Sequence, residues 1–200
     1  ASLGVDFQGI NFFEGQTFVV RKSVNAKAPK DLDGASICVA AGSTEEKTAA
    51  DWFRERNLKV TITTFQKNDD AITAYDSGRC DAYTAGFGAL AGQRIKLKNP
   101  DDHVILNELI SNDPQGPVTR YGDERWQATV RWTLNGMIAA EALGVTSKNV
   151  DDMMYNVIKQ VGNYGESYER TLGMASPLKL PRGPNQLWTK GGLIFTPPFQ

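Results

Sequence analysis

Between Ile37 and Leu106 the apolar positions fall in short runs separated by stretches of helical period. Ile37-Cys38-Val39-Ala40-Ala41 is a run of small and β-branched residues, the pattern of a strand buried on both faces. It breaks at Gly42-Ser43-Thr44, and Glu45 to Phe53 then reads as a helix. Ser43 followed three residues later by Glu46 makes a capping box, and acidic residues suit a first helical turn. Asn57 closes that element. Val60 to Phe65 alternates at period two and predicts a strand. Asp69 to Ser77 predicts a short helix with Ala71, Ile72 and Tyr75 on one face, stopped by Gly78. Cys80 to Ala85 reads as a strand, Ala89 to Leu97 as a helix and Val104 to Leu106 as a strand. Strand and helix thus alternate three times before a closing strand, the pattern of a parallel sheet with helices on both faces.

The flanks are patterned differently. Residues 3 to 20 are aromatic and extended, and Gly9 and Gly15 suggest two short strands joined by a turn. A polar connection from Lys22 to Asp31 leads to the Leu32-Asp33-Gly34 turn. Asn112-Asp113-Pro114-Gln115-Gly116-Pro117 is the clearest break in the chain, and Val118 to Tyr121 is short and extended. Gly122-Asp123 caps the longest predicted helix, Glu124 to Leu143, where Trp126, Val130, Leu134 and Met137 recur at helical spacing and predict a buried stripe. After Gly144 and a Thr146-Ser147 cap, Val150 to Val161 predicts another helix. The remainder is rich in Gly and Pro, with Trp188 and Phe195 as expected anchors, and no internal repeat appears.

Composition narrows the classes. The 200 residues, 40% apolar and 22% charged, are ordinary for a globular protein and sufficient for one large domain or two small lobes. A net charge of −1 gives no electrostatic case for nucleic acid or an anionic membrane. No apolar run approaches a membrane span. Ala1 opens the sequence without Met or a basic leader, which fits a processed protein or an excised piece. Two cysteines, Cys38 and Cys80, and one histidine are too few for a structural zinc site. His103, beside Asp101 and Asp102, reads as an exposed loop histidine with no nucleophile near it in sequence. Asp101-Asp102 and Asp151-Asp152 read as solvated turn and helix-start acids. Nucleophile-elbow, Walker and H-E-x-x-H motifs are absent, and Ala85-Gly86-Phe87-Gly88 is only a GxG. No residue set makes a positive case for an enzyme.

Binding fits better. The loops Gly42-Ser43-Thr44 and Ala85-Gly86-Phe87 follow parallel strands, at the sheet edge where open α/β folds hold ligands. Unpaired N–H groups at the start of a helix favour a carboxylate or phosphate. From this stretch alone, a plain helix cap is the better reading of Ser43 and Thr44.

Several segments carry a family resemblance: Leu32-Asp33-Gly34-Ala35-Ser36-Ile37-Cys38-Val39, Gly42-Ser43-Thr44-Glu45, Ala74-Tyr75-Asp76-Ser77-Gly78-Arg79-Cys80-Asp81 and Leu97-Lys98-Asn99-Pro100-Asp101-Asp102-His103. Trp132-Thr133-Leu134, Gln160-Val161-Gly162-Asn163-Tyr164-Gly165 and Leu187-Trp188-Thr189-Lys190-Gly191-Gly192-Leu193 extend it almost to the end. The sequence resembles bacterial periplasmic solute-binding proteins of the general and polar amino-acid class, the receptors of ABC importers. The resemblance implies an α/β type II periplasmic-binding-protein fold, with two lobes joined by two crossing strands and closing on an amino acid. It implies one complete lobe with a parallel or mixed sheet and helices on both faces, plus an incomplete second lobe. Residues 1–15 would be a remnant of lobe 1 and a hinge strand, 16–111 the complete lobe 2, 112–122 the hinge return and 123–200 the trailing helices and tail of lobe 1.

The resemblance further implies a ligand site at Gly42, Ser43, Thr44 and Glu45, where the helix start holds the ligand carboxylate, and at Gly86. Two departures matter. Ser2 to Phe7 matches sequence that follows the family's carboxylate-clamping arginine, and the stretch between Met154 and Val157 is shortened. Gly86 occupies the place where the family sets an aspartate for the ligand ammonium, while Asp81 matches a turn acid. No cofactor, metal or catalytic residue is implied. Expected partners are an L-amino acid or other carboxylate and the membrane subunits of an importer, in the periplasm. Three readings follow: a transport receptor, a derivative that self-associates as a homodimer through a bared helix stripe, and an enzyme akin to dehydratase relatives of the fold, for which only Glu45 is placed. A disulfide between Cys38 and Cys80 is expected, since the βαβ reading puts both in one sheet, the periplasm oxidises thiols and the matching family members carry both. Two buried free thiols are the alternative.

Overall fold

The structure, a computed structural model, describes residues 4–150 and 156–197. Its strands are β1 (Val5–Phe7), β2 (Phe12–Glu14), β3 (Gln16–Arg21), β4 (Ser36–Ala40), β5 (Thr61–Phe65), β6 (Ala82–Gly86), β7 (His103–Ile105), β8 (Asp113–Gln115) and β9 (Val118–Arg120). Its α-helices are α1 (Thr44–Glu55), α2 (Asn68–Asp76), α3 (Phe87–Arg94), α4 (Glu124–Ala142), α5 (Asn156–Val161) and α6 (Tyr164–Thr171). The chain divides into two compact units, one from Glu14 to Asp113 and the other combining the residues up to Phe13 with those from Pro114 onward.

The unit from Glu14 to Asp113 is built on a five-stranded sheet in the order β5-β4-β6-β3-β7. β4 pairs parallel with β5 and β6, whereas β3 lies antiparallel between β6 and β7. Period-two alternation divides each inner strand between the two faces. Phe18, Val20, Ile37 and Ala82 join Trp52 and Phe53 of α1 on one face. Val19, Cys38, Tyr83 and Ala85 join Tyr75 of α2 and Leu90 of α3 on the other. The run at Ile37–Val39 is fully buried because β4 is an inner strand covered on both faces. The sheet is mixed, and the two short strands expected within residues 3–20 are three, β1, β2 and β3. β1 pairs with β9, and β3 with β6 and β7. Gly15, between β2 and β3, is a close approach: a Cβ there would lie 2.5 Å from the Ser111 carbonyl oxygen.

Cys38 and Cys80 form a disulfide that spans a sequence separation of 42 and ties β4 to the turn before β6. Asp81 in that turn accepts hydrogen bonds from the Ser36 hydroxyl (2.6 Å) and N–H (2.9 Å). Those bonds hold its carboxyl below the usual carboxylate range.

His103 is buried, not exposed as expected from its acidic neighbours. Pairing of His103 with Arg21 draws it into the sheet, and its Nδ1 lies 2.6 Å from the Tyr75 hydroxyl. Burial lowers the imidazole pKa, assisted by Arg21 and Arg94 and opposed by Asp76 and Asp102. A histidine kept neutral in the folded state contributes stability that is full above the unfolded pKa of 6.5. That contribution is lost as pH falls from there through the lower folded pKa. Urea midpoints should therefore drop between pH 7 and pH 5 for the wild type, and the drop should shrink in His103→Gln. An equal drop in both would assign the effect elsewhere.

The other unit holds β1 and β9, paired from Val5↔Arg120 to Phe7↔Val118, and helices α4, α5 and α6. Ile138 of α4, Tyr164 and Tyr168 of α6, Leu187 and Ile194 form its main cluster, against which Leu134 and Met137 pack. The expected stripe on α4 is therefore buried only towards its C-terminal end; Trp126 is 56% exposed. Trp188 and Phe195 are not anchors. They are exposed, and the neighbouring Leu187 and Ile194 are buried because a β-bridge joins those two residues. Glu141 and Arg182 form an ion pair in which each side chain is only 9% exposed. The Arg182 guanidinium also lies 5.2 Å from the Tyr164 ring centre and donates to the Asn185 carbonyl. Asp151, Asp152 and Met154 lie outside the described residues.

Candidate functional site

The carboxyl ends of β4 and β6 and the start of β3 meet at one edge of the five-stranded sheet, with Gln16 paired to Gly86. β4 ends at Ala40, and the chain turns through Gly42 at φ +69°, a left-handed conformation that favours glycine. Ser43 caps α1, with its hydroxyl accepting from the Glu46 N–H (3.2 Å) and donating to the Ala40 carbonyl (2.8 Å). The box is shifted by one residue, since the Glu46 carboxylate accepts from the N–H of Gly42 at 2.7 Å and not from that of Ser43. The Thr44 hydroxyl donates to Glu45 Oε2 at 3.2 Å. One loop N–H is thus satisfied by the chain's own carboxylate. Those of Thr44 and Glu45 precede the first intrahelical acceptor and lie at the positive end of the helix dipole.

Gln16 fastens this corner to the sheet. Its buried side-chain amide donates to the Glu45 carbonyl and to the Thr84 hydroxyl, each at 2.8 Å. The Thr84 hydroxyl in turn donates to the Thr17 carbonyl at 2.7 Å. Beyond Gln16, Gly86 ends β6 and precedes α3 without a side-chain cap of its own. Glu14 supplies one from a distance: its Oε1 accepts from the Gly88 N–H at 2.8 Å. The carboxylate fits because both neighbours lack side chains. A Cβ on Gly86 would lie 3.2 Å from Oε1, and one on Gly88 would lie 3.1 Å from Oε2.

Gly42, Ser43, Thr44 and Glu45 therefore share one sheet edge with Gly86, linked through Gln16. Sequence reasoning missed Gln16, Thr84 and Glu14. Glu14 carried a signal, as the only charged residue between Asp6 and Arg21 in an aromatic stretch. Among the described residues, no group of three or more His, Cys, Asp and Glu side chains could hold a metal ion. No described helix is long and apolar enough to cross a membrane.

No family model matches the chain. It is 41% identical to the general L-amino acid-binding periplasmic protein of Rhizobium johnstonii, over 229 aligned positions that take in all of this chain and 67% of that protein. The chain belongs to the periplasmic amino-acid-binding proteins of ABC transporters. The glutamate/glutamine/aspartate/asparagine-binding protein of Rhodobacter capsulatus is 36% identical, with 99% of this chain and 67% of that protein covered. Among solved structures, the periplasmic binding protein of Brucella ovis with glutathione bound is 42% identical with a TM-score of 0.83. That match covers 99% of this chain and 72% of the Brucella chain. The rhizobial alignment is 29 positions longer than this chain (229 − 200), so the relative carries at least that many residues that have no counterpart here. As a member of the family, the chain is a transport binding protein of the periplasm, not an enzyme.

Proposed function

We propose that this protein captures an L-amino acid, or a small peptide carrying the same α-amino-acid group, at the sheet edge formed by Gly42, Ser43, Thr44, Glu45 and Gly86. It would pass that ligand to the membrane subunits of an ABC importer. The observation that carries this is the start of α1. Thr44 and Glu45 there offer N–H groups without an intrahelical acceptor, on a corner that Gln16 fixes to the sheet. A carboxylate at such a position gains about 0.3–1 kcal/mol from the helix dipole. The glutathione in the Brucella relative and the amino acids named for the Rhodobacter relative support this choice of ligands.

The test is thermal unfolding of the protein with the twenty L-amino acids and glutathione in turn. A ligand at a hundred times its Kd stabilises the folded state by about 2.7 kcal/mol and raises Tm by several degrees. No rise with any of them at millimolar concentration would overturn the proposal.

A further inference from the structure

We infer that Glu14, and no residue of the Gly42-Ser43-Thr44 corner, receives the protonated amine of the ligand. This rests on the reading of the sheet edge given above. Three observations converge on it. First, the Glu14 carboxylate is fixed in place, since the Gly88 N–H holds Oε1 and glycines at 86 and 88 leave the space it fills. Second, only one of its oxygens is used in this way. Oε2 receives no hydrogen bond among the described residues and is left to accept one from a ligand. Third, Glu14 is adjacent in the fold to the carboxylate-binding corner. It stands two residues before Gln16, which pairs with Gly86 and hydrogen-bonds the Glu45 carbonyl. A ligand with its carboxylate at the start of α1 would then find a fixed acceptor on the same sheet edge, beside Gly86.

The two other carboxylates of this edge belong to the α1 corner itself. Glu46 accepts from the Gly42 N–H, and Glu45 accepts from the Thr44 hydroxyl. Gly86 has no side chain to offer. Glu14 is therefore the carboxylate that the backbone holds from α3, outside the loop that would take the ligand carboxylate. A charge-assisted hydrogen bond of this kind is roughly twice as strong as a neutral one, so its loss is readable in affinity.

The experiment measures by titration calorimetry the binding of each L-amino acid and of glutathione, each beside its N-acetylated form, to the wild type and to Glu14→Gln. The amide of glutamine keeps the Gly88 contact and removes the charge. The expected result is a tenfold or greater loss in Glu14→Gln for free amines, with the weaker affinity for N-acetylated forms unchanged. Equal losses for both forms, or no loss, would overturn the assignment of Glu14. Failure of the wild type to bind any of these compounds would overturn the reading of the edge itself, and this inference with it. If Glu14→Gln does not fold, Gly86→Ala puts the question differently, by placing a Cβ 3.2 Å from the carboxylate without removing its charge. The same selective loss for free amines is expected, and an unselective one counts against Glu14.

Discussion

Glu141→Ala should destabilise the protein by about 3–5 kcal/mol, the usual cost of removing one partner of a buried ion pair. The cost arises from what stays behind. Arg182 is only 9% exposed and packs against the rings of Tyr164 and Tyr168. Without Glu141 its described hydrogen bonds are those to the Asn185 carbonyl, with a full positive charge in an apolar cluster. Replacing both partners, as in Glu141→Leu with Arg182→Met, should cost much less, because apolar side chains of similar volume leave no stranded charge. The pair also explains Gly165 at the start of α6, where a Cβ would lie 2.7 Å from the Glu141 carboxyl carbon. Urea unfolding of the single and double variants decides the point. A Glu141→Ala variant within 1 kcal/mol of the wild type would mean that water or a rearranged side chain replaces the carboxylate.

The second large effect is expected at the disulfide. The Cys38–Cys80 link closes a loop of sequence separation 42, worth about 4 kcal/mol on the chain-entropy model. Both cysteines are at most 1% exposed and pack with Tyr75 and Tyr83, so removing the sulfurs adds a small packing loss to the entropic one. Cys38→Ala with Cys80→Ala should therefore shift the urea midpoint strongly downward, and reduction of the unfolded wild type before refolding should shift it nearly as far. Agreement of the two would identify the covalent link, not the packing, as the source. A loss confined to the double variant would assign the effect to packing.

Much of this architecture was legible because it is local. The run at Ile37–Val39, the Ser43 cap and the helix stop at Gly78 are set by residues a few positions apart. The place of β3 was not, because its partners in β6 and β7 lie far along the chain and nothing in Thr17–Val20 names them. Burial of the aromatics was misjudged for a related reason. Trp188 and Phe195 are large, but the bridge between Leu187 and Ile194 decides which side chains turn inward. His103 misled through its neighbours: Asp101 and Asp102 are solvated, yet the next residue begins a strand. At the candidate site the loop of α1 could be read, since capping is a short-range pattern. Glu14 could not, because its meaning depends on two glycines at 86 and 88 that only the fold brings beside it.

The position of β3 has a consequence for biosynthesis. All of its ladder partners lie between Ala82 and Ile105, so the strand emerges from the ribosome well before anything it can pair with. Until then Phe18, Val19 and Val20 form a short, strongly β-forming apolar segment with unpaired backbone on both sides, the kind of exposed edge that invites aggregation. A holding chaperone, or the delay of export in an unfolded state, would protect that segment. The same strand begins with Gln16, the residue that joins α1 to the sheet. The candidate edge is therefore completed only when the earliest strand of this five-stranded sheet is captured by later ones.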